Sequence, residues 1–219
     1  YAKRRGVILI PEFEAPGHSR RLTARYPEVF AISPISQENG APDAGSIVCG
    51  GRQETMDAIR TLLGEICEMF PDAPYIHIGG DEANIKAWNN CADCKAYMEQ
   101  QGIKDEKELY SDFVSRVTRM VLDLGRTPIV WEGFPKFTNH YIPKETVVIA
   151  WESHYQLVPE LLEDGFKIVN ASWQPLYLVD SLSRRWTPED ILNWNVHNWQ
   201  HWWPNSYATL NPITVQPTD

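Results

Sequence analysis

The sequence is poor in several features that define common classes of protein. Its four cysteines in 219 residues are too few for a disulfide scaffold. No apolar run approaches the roughly 18 residues of a spanning helix, so we expect no membrane partner. Lys and Arg number 20 against 29 Asp and Glu, and this net charge of −9 argues against a nucleic-acid partner. Without a Gly-x-Gly-x-x-Gly turn or a phosphate-binding loop, a nucleotide-binding fold loses its main support.

Tryptophan is the residue that the sequence has in excess, with nine copies. The chain is otherwise ordinary, since 43% of its residues are hydrophobic and 22% are charged, which is typical of a globular protein with a real core. It begins with Tyr1 and an apolar run follows almost at once, so we expect it to be a segment of a longer protein.

Short apolar runs alternate with amphipathic patterns along the chain. Apolar residues at three- and four-residue spacing predict helices, at 53–70, 85–101, 106–124 and 155–163. A further helix is expected after Thr187, which is a good N-cap residue and precedes a proline. Short apolar runs predict buried strands, at 7–11, 75–78, 128–131, 146–151 and 166–170. This alternation predicts a parallel α/β fold, either a doubly wound sheet or a (β/α)₈ TIM barrel.

Acidic and aromatic residues follow every predicted strand at its carboxyl end. In chain order they are Glu12, Glu14, His18, Asp81, Glu82, Trp131, Glu132, Trp151, Glu152, Trp173 and Tyr177. Active sites of (β/α)₈ barrels form at that end, so we favour the barrel. Carboxylates among indoles indicate a sugar substrate, because aromatic rings lie against apolar pyranose faces while acids act on the glycosidic oxygen.

The adjacent carboxylates Asp81 and Glu82 are the strongest catalytic candidates. The glycines Gly79 and Gly80 before them let the backbone approach a substrate or adopt positive φ. Mutual repulsion and partial burial are expected to keep one carboxyl protonated near neutrality, as a general acid requires. An isolated Gly-Gly-Asp-Glu would more often be an exposed acidic turn, but its position directly after a buried strand favours catalysis.

These residues resemble a known family. Residues 75–82, Tyr-Ile-His-Ile-Gly-Gly-Asp-Glu, are similar to the His-x-Gly-Gly-Asp-Glu signature of family 20 glycoside hydrolases, the β-N-acetylhexosaminidases. Residues 10–18 resemble that family's strand-3 segment, which ends in Pro-Gly-His. The resemblance covers nearly the whole chain and implies that residues 1–219 are part of a single catalytic (β/α)₈ barrel, with approximately strands 3 to 7. Strands 1, 2 and 8 are then expected outside this chain.

The resemblance implies retaining hydrolysis of terminal β-linked N-acetylglucosamine or N-acetylgalactosamine, assisted by the substrate. The sugar's own 2-acetamido oxygen attacks C1 and forms an oxazolinium ion. Glu82 would protonate the leaving oxygen and then activate the water that opens the ring. Asp81 would hold the acetamido N–H and stabilise the positive charge that develops there.

The resemblance also implies substrate-binding roles for four other residues. His18 would support the general acid through a carboxylate–histidine relay. Trp131 and Trp151 match the family's indoles on strands 5 and 6 and would wall the pocket. Tyr177 would donate a hydrogen bond near the acetamido carbonyl.

Three further positions are expected to lie behind the groups that touch the substrate. Glu14 stands where many relatives carry Asp, and His77 is interpreted as a hydrogen-bonded core histidine rather than a substrate contact. The family commonly reads Tyr-Leu-Asp or Tyr-Leu-Asn after strand 7, but here Val179 follows Leu178 and Asp180 comes one place later. A local bulge would still present Asp180.

We expect neither a metal nor a cofactor. The spacing of Cys91 and Cys94 is typical of zinc sites, and His197 and His201 would be the other half. These pairs lie about 100 residues apart, whereas finger-type sites use roughly 12–15. A local thiol pair, reduced or disulfide-bonded, that pins a loop is therefore the favoured interpretation.

The expected partner is a glycan or chitooligosaccharide with a terminal N-acetylhexosamine, and the expected location is extracellular or periplasmic. Two alternatives stay open. One is a catalytically incompetent fragment or carbohydrate-binding relative that keeps the aromatic cleft. The other is a glycosidase that uses two carboxylates without help from an acetamido group.

Overall fold

A four-stranded parallel sheet forms the centre of the computed structural model, which describes residues 1–33, 45–179 and 186–216. The strands lie side by side in chain order, so each connection is a crossover of the kind that parallel strands require. They are β1 (Tyr75–His77), β2 (Thr127–Trp131), β3 (Val147–Ala150) and β4 (Lys167–Asn170). The parallel α/β architecture and four of the five predicted strands are confirmed.

Helices occupy the connections between the strands and the segments on either side. The α-helices are α1 (Arg20–Arg25), α2 (Pro27–Phe30), α3 (Gln53–Met69), α4 (Ala92–Gln101), α5 (Glu106–Asp123), α6 (Val158–Glu163), the kinked turn α7 (Trp173–Leu176) and α8 (Pro188–Leu192). The 3₁₀ helices are Lys3–Arg5, Ile85–Asn90 and Lys136–Tyr141. A small antiparallel pair, β5 (Asn198–Trp199) and β6 (Ile213–Thr214), follows α8. Within the described ranges, no helix has the length and apolar character needed to cross a bilayer.

The main core lies between the sheet and the two long helices α3 and α5. Both helices were predicted from the periodic spacing of their apolar residues, and both bury the apolar face that this spacing produces. The fully buried side chains at this interface include Ile59, Leu63, Leu109, Phe113, Val117, Ile76, Val130 and Val148. Burial of one such side chain contributes about 1.5–3 kcal/mol. The core therefore fixes the sheet, whose carboxyl edge carries the acidic and aromatic residues.

The prediction of a buried strand at residues 7–11 is wrong. Val7 and Ile8 are 53% and 61% exposed, and residues 7–10 have no regular structure. The chain joins β1 only at the end of this run, where His77 N donates to Pro11 O at 2.9 Å and Phe13 N donates to His77 O at 2.8 Å. The apolar run indicated burial on both faces, but the segment lies at the edge of the described sheet, where its side chains stay exposed.

The helix predicted over residues 85–101 is interrupted. Cys91 has an extended backbone, with φ −87 and ψ 120, and separates the 3₁₀ helix Ile85–Asn90 from α4. The helix predicted over 155–163 begins later, at Val158, because Pro159 fits only in a first helical turn. Thr187 caps α8 as predicted, since its hydroxyl accepts a hydrogen bond from Asp190 N.

Candidate active site

The carboxyl ends of β1 and of the edge segment bring His18, Asp81 and Glu82 together. Nε2 of His18 lies 3.3 Å from Oδ2 of Asp81 and 3.5 Å from Oε2 of Glu82. The side chain of Asp81 is 17% exposed, whereas that of Glu82 is 58% exposed. One carboxylate is therefore held against the protein while its neighbour faces the space that a substrate would enter.

The backbone is strained at two of these residues. His18 has φ 50 and Glu82 has φ 49, in the left-handed region that residues other than glycine rarely adopt. The turn that carries His18 also approaches β1 closely, because a Cβ on Gly17 would lie 2.9 Å from the carbonyl oxygen of Asp81. Such strain persists only where the surroundings fix it, and it clusters at functional sites.

Aromatic rings from three successive strand ends form a continuous wall. The ring centroids of Trp131 and Trp151 lie 5.8 Å apart, and those of Trp151 and Trp173 lie 6.1 Å apart. Tyr177 stacks on Trp173 with a centroid distance of 5.3 Å and an interplanar angle of 20°. The predicted pocket residues Trp131, Trp151 and Tyr177 are thus brought together, and Trp173 links them. Trp173 is therefore part of this wall.

Glu152 is a further acid of this cleft and is not among the predicted site residues. It is buried, and burial followed by the charges of Glu132, Glu82 and Asp81 raises its pKa to about 7. Burial, followed by the charges of Asp81, Glu152 and Glu82, likewise raises the pKa of Tyr177 to about 12. The sequence signal for Glu152 was its position two residues after β3, at the carboxyl edge of the sheet.

Glu132 organises the turn that follows β3. Its carboxylate is buried and accepts hydrogen bonds from the backbone N–H groups of Ser153 (3.0 Å), His154 (2.8 Å) and Tyr155 (3.0 Å). Ser153 has φ 52, so this turn is also strained. Glu132 therefore fixes the backbone that presents Glu152 to the cleft, a role that its position after a strand does not reveal.

Glu14 lies behind Asp81, where the resemblance implied a supporting residue. Its Oε2 is buried, as is Oδ1 of Asp81, and neither atom has a hydrogen-bond partner among the described residues. A Cβ on Gly79 would collide with the Glu14 carboxylate, so the glycine makes room for it. Burial, followed by the charges of Asp81 and Glu12, raises the pKa of Glu14 to about 8. This shift favours the protonated form of Glu14 near neutral pH.

Replacing Glu14 by Gln is expected to change how stability depends on pH. The folded pKa of about 8 lies above the ordinary value of 4.5, so the folded protein holds a proton that the unfolded chain releases. The ionisation of Glu14 therefore lowers the free energy of unfolding as pH rises from about 5 to about 8. Thermal unfolding of the full-length protein across this range should show a smaller loss for Glu14→Gln than for the wild type. The exposed control Glu68→Gln should keep the wild-type slope, and equal slopes in all three proteins would contradict the assignment.

His77 is buried, in agreement with its interpretation as a core histidine. Its Nδ1 lies 2.9 Å from Oε1 of Glu12, and this same oxygen accepts a hydrogen bond of 3.0 Å from Nε1 of Trp131. Burial lowers the pKa of His77. Glu12 thus connects the edge segment to the indole of Trp131, and sequence reasoning missed this role.

The late aromatic segment supports the wall from behind. Nδ1 of His201 accepts a hydrogen bond from Trp203 N at 3.0 Å, which leaves the Nε2 proton to donate to Trp151 O at 3.2 Å. Burial lowers the pKa of His201 to about 4, which keeps the ring neutral. Asp180, the remaining predicted site residue, lies outside the described residues.

Two side-chain groups in the described part of the chain offer metal-binding atoms within 4.8 Å of one another. One is the group of His18, Asp81 and Glu82 described above, which is partly exposed. The other is the buried set Cys49, Cys91 and Cys94. The suggested zinc site between the Cys91 pair and His201 is wrong, since His201 packs on the aromatic wall.

Comparisons with known sequences identify the chain's relatives. The sequence model described as glycosyl hydrolase family 20, catalytic domain, matches residues 1–214. The beta-hexosaminidase of Akkermansia muciniphila is 31% identical over 183 residues, which cover 81% of this chain and 36% of the relative. The beta-hexosaminidase of Vibrio furnissii is 29% identical over 192 residues, which cover 87% and 30% respectively. The chain thus spans about a third of the length of these curated relatives.

Solved structures resemble the chain in fold. The β-N-acetylhexosaminidase from Bacteroides fragilis has a TM-score of 0.68 at 25% identity, covering 88% of this chain and 40% of that chain. The exo-β-N-acetylglucosaminidase from Vibrio harveyi, in complex with N-acetylglucosamine, has a TM-score of 0.63 at 28% identity, covering 77% and 26%. The fold is accordingly α/β and TIM-barrel-like.

Proposed function

The chain belongs to glycosyl hydrolase family 20, and from this we propose that the full-length protein is a β-N-acetylhexosaminidase. It would remove terminal β-linked N-acetylglucosamine or N-acetylgalactosamine from a glycan or chitooligosaccharide. The observation that carries the proposal is the contact of His18 with both Asp81 and Glu82, beside a wall of adjoining indoles.

Glu82 would act as the general acid. Its side chain is the more exposed of the two carboxyls, so it can reach a glycosidic oxygen and later a water molecule. In the first step the substrate's acetamido oxygen forms a bond to C1 while the bond from C1 to the leaving oxygen breaks. The proton of Glu82 passes to that oxygen, so the aglycone departs as a neutral alcohol.

Asp81 would hold the acetamido group in the position for attack. It is the more buried carboxylate, and His18 lies 3.3 Å from its outer oxygen. A carboxylate fixed in this way accepts the acetamido N–H and stabilises the positive charge of the oxazolinium ion. In the second step Glu82 takes a proton from water and the water oxygen bonds to C1, while the bond from C1 to the acetamido oxygen breaks and restores the acetamido group.

The position of the chain within the barrel follows from the same family. We propose that the edge segment at Glu12 and strands β1 to β4 occupy the places of barrel strands 3 to 7. Residues 1–219 then belong to one catalytic barrel. The extracellular or periplasmic location stays a prediction.

The proposal is tested by assaying the full-length protein with 4-nitrophenyl N-acetyl-β-glucosaminide. We expect release of 4-nitrophenol and competitive inhibition by a thiazoline analogue of the oxazolinium ion. A glycosidase that uses two carboxylates without the acetamido group would release the phenol but resist the thiazoline. A carbohydrate-binding relative would bind the sugar without turnover, and either result would contradict the proposal.

A further inference from the structure

Three of the four cysteines meet in the core behind the active site. Cys49, Cys91 and Cys94 are all 0% exposed, and Sγ of Cys49 lies 3.7 Å from Sγ of both Cys91 and Cys94. All three sulfurs lie within 4.8 Å of one another, and all are free thiols. The fourth cysteine, Cys67, is partly buried on α3 and is not in this group.

The spacing of the sulfurs fits a shared metal ion better than a disulfide. A disulfide needs its two sulfurs about 2.0 Å apart. Two thiolates on a tetrahedral zinc ion, with Zn–S bonds of about 2.3 Å, lie about 3.8 Å apart. The two measured separations of 3.7 Å agree with the second arrangement.

The backbone around Cys91 and Cys94 places positive partial charge near their sulfurs. Cys91 precedes α4 and Cys94 is its third residue, where the helix N-terminus stabilises negative charge. The backbone N–H of Ser33 donates to Sγ of Cys91 at 3.3 Å. The carboxylate of Asp93, the residue before Cys94, pairs with the guanidinium of Arg52 at 2.6 Å.

We propose that Cys49, Cys91 and Cys94 bind a structural zinc ion, with water as the fourth ligand. Binding converts three thiols to thiolates and releases their three protons. Three thiolates and Zn²⁺ carry a net charge of −1, and the Arg52–Asp93 ion pair lies beside them. The sequence pattern suggested only the Cys91 and Cys94 half of this site, because Cys49 lies 42 residues before Cys91 and only the fold joins them.

The zinc ion would connect the two loops that carry the catalytic residues. Val48, next to Cys49, donates its N–H to Pro16 O at 3.0 Å, in the turn that presents His18. Val48 O accepts a hydrogen bond of 2.9 Å from Nε1 of Trp88, in the 3₁₀ helix that follows Glu82. Gly51 packs so closely that an added Cβ would lie 2.7 Å from the Cα of Cys94. Metal binding would therefore stabilise the backbone beneath the active site.

The test measures zinc in the full-length protein, purified under reducing conditions without chelators or a metal-affinity tag. We expect about one zinc ion per chain by inductively coupled plasma mass spectrometry. Cys49→Ser and Cys94→Ser should lose the metal, whereas the matched control Cys67→Ser should keep it. X-ray absorption at the zinc edge should show three sulfur neighbours at about 2.3 Å.

Wild-type measurements alone can overturn the proposal, so it does not depend on the variants folding. Protein that stays metal-free after incubation with Zn²⁺ would contradict it, as would a disulfide between any two of these cysteines in peptide mapping of protein purified without reductant. Zinc bound without sulfur neighbours would do the same. Because the readout is metal content, it is independent of whether the protein hydrolyses N-acetylhexosaminides.

Discussion

Glu82→Gln is expected to lower kcat/KM for 4-nitrophenyl N-acetyl-β-glucosaminide by about 10²–10⁴-fold in the full-length protein, the range that general acid–base catalysis supplies. The amide keeps the shape of the side chain but has no proton to give to the leaving oxygen and cannot activate water. The loss should be greater for chitobiose, because a sugar hydroxyl leaves poorly unless it is protonated. Initial rates with both substrates give the comparison.

The thiazoline inhibitor separates a catalytic loss from a structural one. Its inhibition constant should change little in Glu82→Gln, since the oxazolinium ion is held by Asp81 and the indole wall. Glu68→Gln, an exposed change of the same type on α3, should match the wild type in both assays. Wild-type turnover of chitobiose by Glu82→Gln would show that another group is the acid.

The sequence predicts the site better where residues are consecutive than where the fold brings distant residues together. Asp81 and Glu82 are adjacent and follow a buried strand, so their common position at the sheet edge could be predicted. Glu152 follows a different strand, β3. Only the parallel alignment of the strands in the sheet brings it near Asp81 and Glu82. The contact of Glu12 with His77 and Trp131 likewise joins three separate segments.

The sequence pattern also failed to predict the exposure of an apolar segment and the interruption of a helix. The apolar residues 7–10 read as a buried strand, because composition alone does not say whether neighbouring elements cover a segment. The extended backbone of Cys91 interrupts a helical pattern at the point where three thiols meet. Here the tertiary contact of Cys91 with Cys49 coincides with a break that local propensity does not predict.

Asp81→Asn is expected to lower kcat/KM for N-acetylhexosaminides by about 10²–10³-fold, the loss typical of removing one preorganised electrostatic contact. The variant has no negative charge to stabilise the oxazolinium ion, and its amide N–H₂ can face the acetamido N–H. Binding of the thiazoline should weaken together with turnover, in contrast to Glu82→Gln. Parallel measurement of kcat/KM and of the thiazoline inhibition constant tests this.

Azide decides whether Asp81 acts by charge or as a nucleophile. If Asp81 formed a covalent bond to the sugar, a small anion would replace it and restore the rate of Asp81→Asn. In the substrate-assisted reaction the acetamido oxygen is already the nucleophile, so azide should leave the rate low. Asp57→Asn, an exposed change on α3, should keep wild-type kinetics, and circular dichroism should show that all variants are folded. Recovery of activity with azide would therefore assign the nucleophile to the protein rather than to the substrate.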